Sequence, residues 1–153
     1  MSYAQLSSSI SQRPCYTGPI NVQMNNNDLI SPDITNNNGS ITVSIPGVYF
    51  VVASPQVNEI YDKHANYLDF WIAVNGIAVP DSGIRISMLS KKETDVIVCQ
   101  GLVQLASGDI LTVAMNYVST HNYQNKDGIG IVAIVPEVGP LIPSIIFTMY
   151  RIA

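Results

Sequence analysis

The sequence predicts an all-β fold, a two-sheet antiparallel jelly-roll sandwich of about ten strands. Three observations predict it. No stretch sustains a helical period with caps, and eight to ten short segments are either alternating or apolar throughout. Turns rich in Gly, Pro and Asn separate those segments.

Residues 1–18 show neither a strand nor a helix period and read as an extended N-terminal arm, ahead of a jelly-roll domain over 19–153. Termini are ordered when something holds them, so this arm is expected to dock on neighbouring subunits or on other structural proteins of a larger particle. Ile20-Asn21-Val22-Gln23-Met24 alternates and is the first expected strand, stopped by Asn25-Asn26-Asn27-Asp28. Asn36-Asn37-Asn38-Gly39 is a turn, since Asn and Gly tolerate positive φ.

Ile41, Val43 and Ile45 then alternate with Thr42 and Ser44, the pattern of a strand with one wet face. After Pro46-Gly47 the alternation stops. Every residue of Val48-Tyr49-Phe50-Val51-Val52-Ala53 is apolar or aromatic, so both faces should be covered, one by the domain's own core and one by something else.

Residues 58–66 form a polar loop containing Tyr61, Lys63 and His64. Leu68, Phe70, Ile72 and Val74 next alternate with Tyr67, Asp69, Trp71 and Ala73, ending in Asn75-Gly76, a two-residue hairpin signal that returns as Ile77-Ala78-Val79-Pro80. Ile84-Arg85-Ile86-Ser87-Met88 is another short strand, and Lys91-Lys92-Glu93 a solvated turn. Over 94–105 the chain is apolar on both sides, with Ile97, Cys99, Val103 and Leu105 on one and Val96, Val98 and Leu102 on the other. Ala106-Ser107-Gly108-Asp109 turns it into a strand whose Leu111, Val113, Met115 and Tyr117 share a face. A second polar loop, 121–128, carries His121 and Tyr123. Residues 128–135 read as a strand whose glycines admit close backbone contact, and 143–152 as a final strand that is apolar on both faces.

At 153 residues the chain suits one domain with a substantial core. Hydrophobic residues make up 47% and charged ones 12%, about half the usual charged share, which points to surface removed from water by association. A net charge of −4 with 7 scattered Lys and Arg argues against nucleic-acid binding and against a membrane-surface patch. The start, Met1-Ser2-Tyr3-Ala4-Gln5-Leu6, shows no secretory signal, and no apolar run is long enough for membrane insertion. Cys15 and Cys99 could be bridged or free; the simpler reading is a small strand hydrophobe at Cys99 and a reduced loop thiol at Cys15. The two-faced strands over 48–53, 96–105 and 145–152 together predict an oligomer in which one sheet lies between core and partner.

Five segments in order carry a resemblance: Asn38-Gly39-Ser40-Ile41-Thr42-Val43, Pro46-Gly47-Val48-Tyr49-Phe50, Val74-Asn75-Gly76, Leu105-Ala106-Ser107-Gly108-Asp109-Ile110, and Ser144-Ile145-Ile146-Phe147-Thr148-Met149-Tyr150. From about Ile20 onward the chain resembles the globular head of the C1q and tumour necrosis factor superfamily. The resemblance implies a ten-strand jelly roll assembling as a homotrimer about an apolar axis, with Tyr49, Phe50, Val51, Val98, Leu102, Ile146 and Tyr150 at the trimer interface. It departs from the family in having no collagen-type stalk, and Ile145-Ile146-Phe147 stands where an aromatic-Gly-aromatic motif is usual.

Residues for chemistry are sparse. His64 and His121 have no metal-ligand neighbours in sequence, and Ser82-Gly83 and Ser107-Gly108 lack a nucleophile elbow. Asp81, Asp109 and Asp127 read as turn residues, although the resemblance allows an apical calcium. No cofactor, no metal and no catalytic residue is therefore expected. Trp71, with Tyr61 and Tyr123, is the candidate for binding a partner, since exposed aromatics are enriched where partners dock.

The expected role is a non-enzymatic structural or surface module, a trimeric head that decorates a virion or spore, or that is extracellular by a route without a visible signal peptide. The alternative is a free recognition module binding carbohydrate or protein through its outer loops.

Overall fold

The computed structural model describes residues 1–15, 18–59, 66–87, 94–119 and 128–153. Among them there is no helix, and fourteen strands form two antiparallel sheets of seven. The strands are β1 (Tyr3–Ser8), β2 (Gly18–Asn21), β3 (Asn26–Ile30), β4 (Ile34–Asn37), β5 (Ser40–Val43), β6 (Gly47–Glu59), β7 (Asn66–Val74), β8 (Ile77–Ala78), β9 (Ile84–Ser87), β10 (Thr94–Val96), β11 (Cys99–Leu105), β12 (Ile110–Ser119), β13 (Ile129–Ile131) and β14 (Ile145–Arg151). The excess over ten comes from splitting: β8, β10 and β13 are only two or three residues long.

β6 is the spine of the first sheet. One edge pairs with β11 along its first half and with β10 beyond, while the other pairs with β14 and then β13. β1 pairs with β14, and β3 closes that side. β12 plays the same part in the second sheet, with β7 on one edge and β5 and β2 on the other. β4 extends past β5, and β8 and β9 past β7.

The inward rows interlock between the sheets. Tyr49, Val51, Ala53, Val57, Phe147 and Met149 of the first sheet meet Ile41, Val43, Leu68, Phe70, Ile72, Leu111, Val113 and Met115 of the second, all fully buried. Each buried Leu, Ile, Val or Phe contributes roughly 1.5–3 kcal/mol, so this layer needs no metal or disulfide to hold it. The apolar faces expected over 68–74 and 111–117 are those that β7 and β12 turn inward, through Leu68, Phe70 and Ile72 and through Leu111, Val113, Met115 and Tyr117.

Three sequence expectations need correction. Tyr3–Ser8 is not part of an extended arm ahead of the domain: it lies between β14 and β3, with Leu6 completely buried. Beyond it, Gln12 bridges to Ile131 and the Arg13 guanidinium donates to the carbonyls of Asn58 and Gly128. Ser and Gln masked this strand, because Gln5 interrupts its outward side, Ser7 and Ser8 fill its far end, and only Ala4 and Leu6 carry the inward signal. Asn26-Asn27-Asp28 is likewise not a turn but the start of edge strand β3, where polar side chains keep the sheet edge solvated. Finally, the strand expected over 20–24 is displaced: β2 covers Gly18–Asn21, with Val22 and Met24 buried just beyond it, and Ile20, although paired with the inward Met115, is 40% exposed.

Both short hairpins form as expected. Asn75 and Gly76, at φ 51° and 79°, join β7 to β8, and Asn38 and Gly39, at 47° and 100°, join β4 to β5. Positive φ at both central residues matches the right-handed twist of the flanking strands.

Candidate functional site

The outward face of the first sheet is the most unusual surface of the molecule. In β6 the odd-numbered residues point into the core, so Val48, Phe50 and Val52 point out. Register aligns Phe50 with Leu102 on one side and Tyr150 on the other, and Tyr150 with Tyr3 beyond. Four large apolar side chains thus lie in one row across four strands. The Phe50 and Tyr150 rings sit 5.5 Å apart at 56°, a tilted aromatic pair. Ile146 and Ile152 extend the patch along β14, with Leu102 61% exposed at the opposite side. The neighbouring row, Gln5, Thr148, Val52 and Gln100, is uncharged. A sheet face open to water normally alternates in charged and polar residues.

The interface residues expected from sequence divide on this face. Phe50, Leu102, Ile146 and Tyr150 point outward, and Val98, half exposed, lies in the link between β10 and β11. Tyr49 and Val51 do not: both are fully buried in the chain's own core, and the Tyr49 phenol donates to the Ile45 carbonyl at 2.7 Å. A run with no polar residue has no phase, so alternation could not say which set faces inward.

The second sheet has a different outer face. Trp71 is half-buried there, with Ala114 as its partner on β12. One rung away Arg85 donates from Nε and Nη2 to the two oxygens of Asp69 at 2.6 and 2.8 Å, a fork that also lies over the Tyr67 ring at 5.1 Å. The Asp69 carboxylate holds the Arg85 guanidinium above its ordinary range. Trp71 borders an open cleft of about 520 Å³. Tyr61 and Tyr123 lie outside the described residues, as do His64, His121, Asp127 and the charged turn at Lys91.

No family model matches this chain, and no curated protein matches it. Among solved structures it is similar to the globular domain of zebrafish complement 1qA protein, at 15% identity and a TM-score of 0.58, over 100% of this chain and 98% of that one. The fold is a C1q-like jelly roll.

Within the C1q-like head, two of the sequence segments behind the resemblance prove to be one device. Asn75 Nδ2 donates to Asp109 Oδ1 at 2.8 Å, the Ile110 amide donates to Asn75 Oδ1 at 2.9 Å, and the Ala106 amide donates to Asp109 Oδ2 at 2.8 Å. The Asn-Gly hairpin and the Gly-Asp turn therefore clasp each other at one end of the second sheet. The Ala106 amide, and after it the Asn75 side chain, hold the Asp109 carboxyl below its ordinary range.

The other candidate groups have structural partners. Ser82 is buried, accepting from the Ile72 amide and donating to the Val79 carbonyl, so its hydroxyl is engaged in holding the turn to β7. Cys99 is buried and free, its thiol pushed up to about 11 by desolvation, and Cys15 is exposed and free. Among the described residues no three His, Cys, Asp or Glu gather at metal-ligand spacing.

Proposed function

We propose that this chain is a non-enzymatic head that assembles as a homotrimer and serves as a structural or surface module of a larger particle such as a virion or spore. The observation that carries the reading is the uncharged outward face of the first sheet, with its row Tyr3, Tyr150, Phe50 and Leu102. Contiguous apolar patches of this kind mark interaction surfaces. Covering a fully exposed side chain of this kind contributes roughly 1.5–3 kcal/mol, and since these are about half exposed or less, the row together with Val48, Val52, Ile146 and Ile152 contributes on the order of the association cost of about 4–15 kcal/mol.

A second apolar surface adjoins the first at the edge of the sandwich, where Ile77, Val79 and Leu102 line an open hollow of about 410 Å³. Contact of one copy's sheet face with another's edge is heterologous, and such contacts repeated by rotation close into a ring. The C1q-like fold supports a ring of three. Since Tyr3–Ser8 is an interior strand, attachment to other particle proteins needs surface beyond it, and deleting residues 2–17 should unfold the head rather than merely detach it.

Sedimentation equilibrium tests the assembly. The native chain should sediment at three times its 16.6 kDa mass, and Leu102→Asp should sediment as a monomer with unchanged far-ultraviolet circular dichroism. A native chain that is monomeric at high concentration overturns the reading.

A further inference from the structure

The cleft beside Trp71 lies on the outer face of the second sheet and adjoins the edge hollow, sharing Ala78, Val79 and Pro80 with it. Gly83, one residue before β9, lines the cleft beside Trp71, on the β8 and β9 side of β7; Ala114, the partner of Trp71 on β12, is not among its lining residues. A Cβ built on Gly83 would meet only the Phe70 carbonyl oxygen, at 4.0 Å, so the space over Gly83 is open rather than filled by packing.

The far wall is pre-formed. The Val79 amide donates to the Ile72 carbonyl at 2.8 Å, the Ser82 hydroxyl fixes the turn to β7, and the Cys99 thiol donates to the Ser82 carbonyl at 3.0 Å. Pro80 and Asp81 stand on that wall, and the Asp69–Arg85 fork also lines the cleft. A flat aromatic, a rigid wall and a few convergent polar groups make a ligand site.

The chemistry of the lining selects the ligand. Asp69 and Arg85 neutralise each other, yet two guanidinium N–H groups are spent out of five, and each carboxylate oxygen retains a lone pair. Donors and acceptors therefore stand side by side without net charge, the pattern that adjacent hydroxyls require. Asp81 adds one negative charge at the rim, which disfavours an anion. The indole offers an apolar plane for a ring of C–H groups.

We propose that this cleft binds an uncharged pyranose unit of a saccharide, its C–H face on Trp71 and a pair of hydroxyls on the Asp69–Arg85 fork. Trp71, Asp69 and Arg85, which hold the saccharide, all belong to one copy and lie outside the edge hollow, so the site is complete without a partner.

Trp71 is the chain's single tryptophan, so its emission reports the site directly. The native protein is titrated with the methyl glycosides of glucose, galactose, mannose and N-acetylglucosamine. At least one should give a saturable blue shift at millimolar concentration. Gly83→Leu fills the open space, and its fold is checked by circular dichroism; it should weaken that response by about tenfold or more. Saturation-transfer NMR on the glycoside gives a second readout independent of the indole. The assignment is overturned if no neutral glycoside saturates, if Gly83→Leu leaves the affinity unchanged, or if only sialic acid or a proline-rich peptide binds. Sedimentation of the same samples separates this outcome from failure of the assembly.

Discussion

The Tyr49 phenol reaches back across Pro46 and Gly47 to the Ile45 carbonyl, while its ring is fully buried between the sheets. Tyr49→Phe removes only that hydrogen bond and should lower stability by about 1 kcal/mol in urea unfolding. Tyr49→Asp places an unpaired carboxylate in the core and should prevent folding altogether, so it cannot serve as a test of assembly. The cysteines differ in a comparable way. Cys15 is exposed, whereas burial pushes the Cys99 thiol up to about 11, leaving almost no thiolate at neutral pH. A thiol reagent should label one cysteine in the native protein and both in denaturant; native labelling of both would mean that the β11 strand opens readily. Asp109 sets an acid limit. Its folded value is depressed, so its contribution is fully present above the ordinary carboxylate range and is lost as pH falls through the folded value. Asp109→Ala should therefore lower the urea midpoint at neutral pH and narrow the gap from the native protein in strong acid. Residue identity was readable in the sequence wherever a polar neighbour fixed the phase, as at Trp71 beside Phe70. It was unreadable in the unbroken run from Val48 to Ala53, where Tyr49 and Phe50 have the same chemistry but opposite faces.

At the scale of the element, β7 and β12 were legible because each alternates for most of its length, and the Asn-Gly hairpins because their backbone demands those residues. β1 was not. A strand whose exposed positions carry Tyr and Gln, and whose far end is Ser-Ser, shows alternation over too few residues to be told from a polar tail. Long-range pairing decides it, since both of its edges are occupied by β14 and β3. The following residues are held as firmly at Gly130, which is buried where the chain crosses β13. An added Cβ there would lie 2.5 Å from Arg13 Cγ and 2.6 Å from the Gln12 carbonyl oxygen. Backbone cannot yield as a side-chain tip can, so Gly130→Ala should push the 12–13 segment off β13. The expected cost is about 1–3 kcal/mol, with faster proteolysis after Arg13. Unchanged proteolysis would show that the bridge between Gln12 and Ile131 does not hold this segment.

At the scale of the whole molecule, the two sheets share a core but face outward with opposite characters. The second sheet presents the Asp69–Arg85 pair, Asn116 and a single tryptophan, and its Thr112, Ala73 and Ala114 are short. The first presents aromatic and aliphatic side chains in a row without charge. If identical copies cover that row, folding and association are linked, and the melting temperature must rise with protein concentration. Leu102→Asp keeps every inward residue and every strand pairing, so its core should be intact while the linkage is cut. Its melting temperature should then be lower than that of the native chain and independent of concentration. The two curves should converge on dilution, where the native chain also dissociates. A native melting temperature unchanged over a hundredfold dilution would leave the row exposed in solution, and the low charge of this chain would need a cause other than self-assembly.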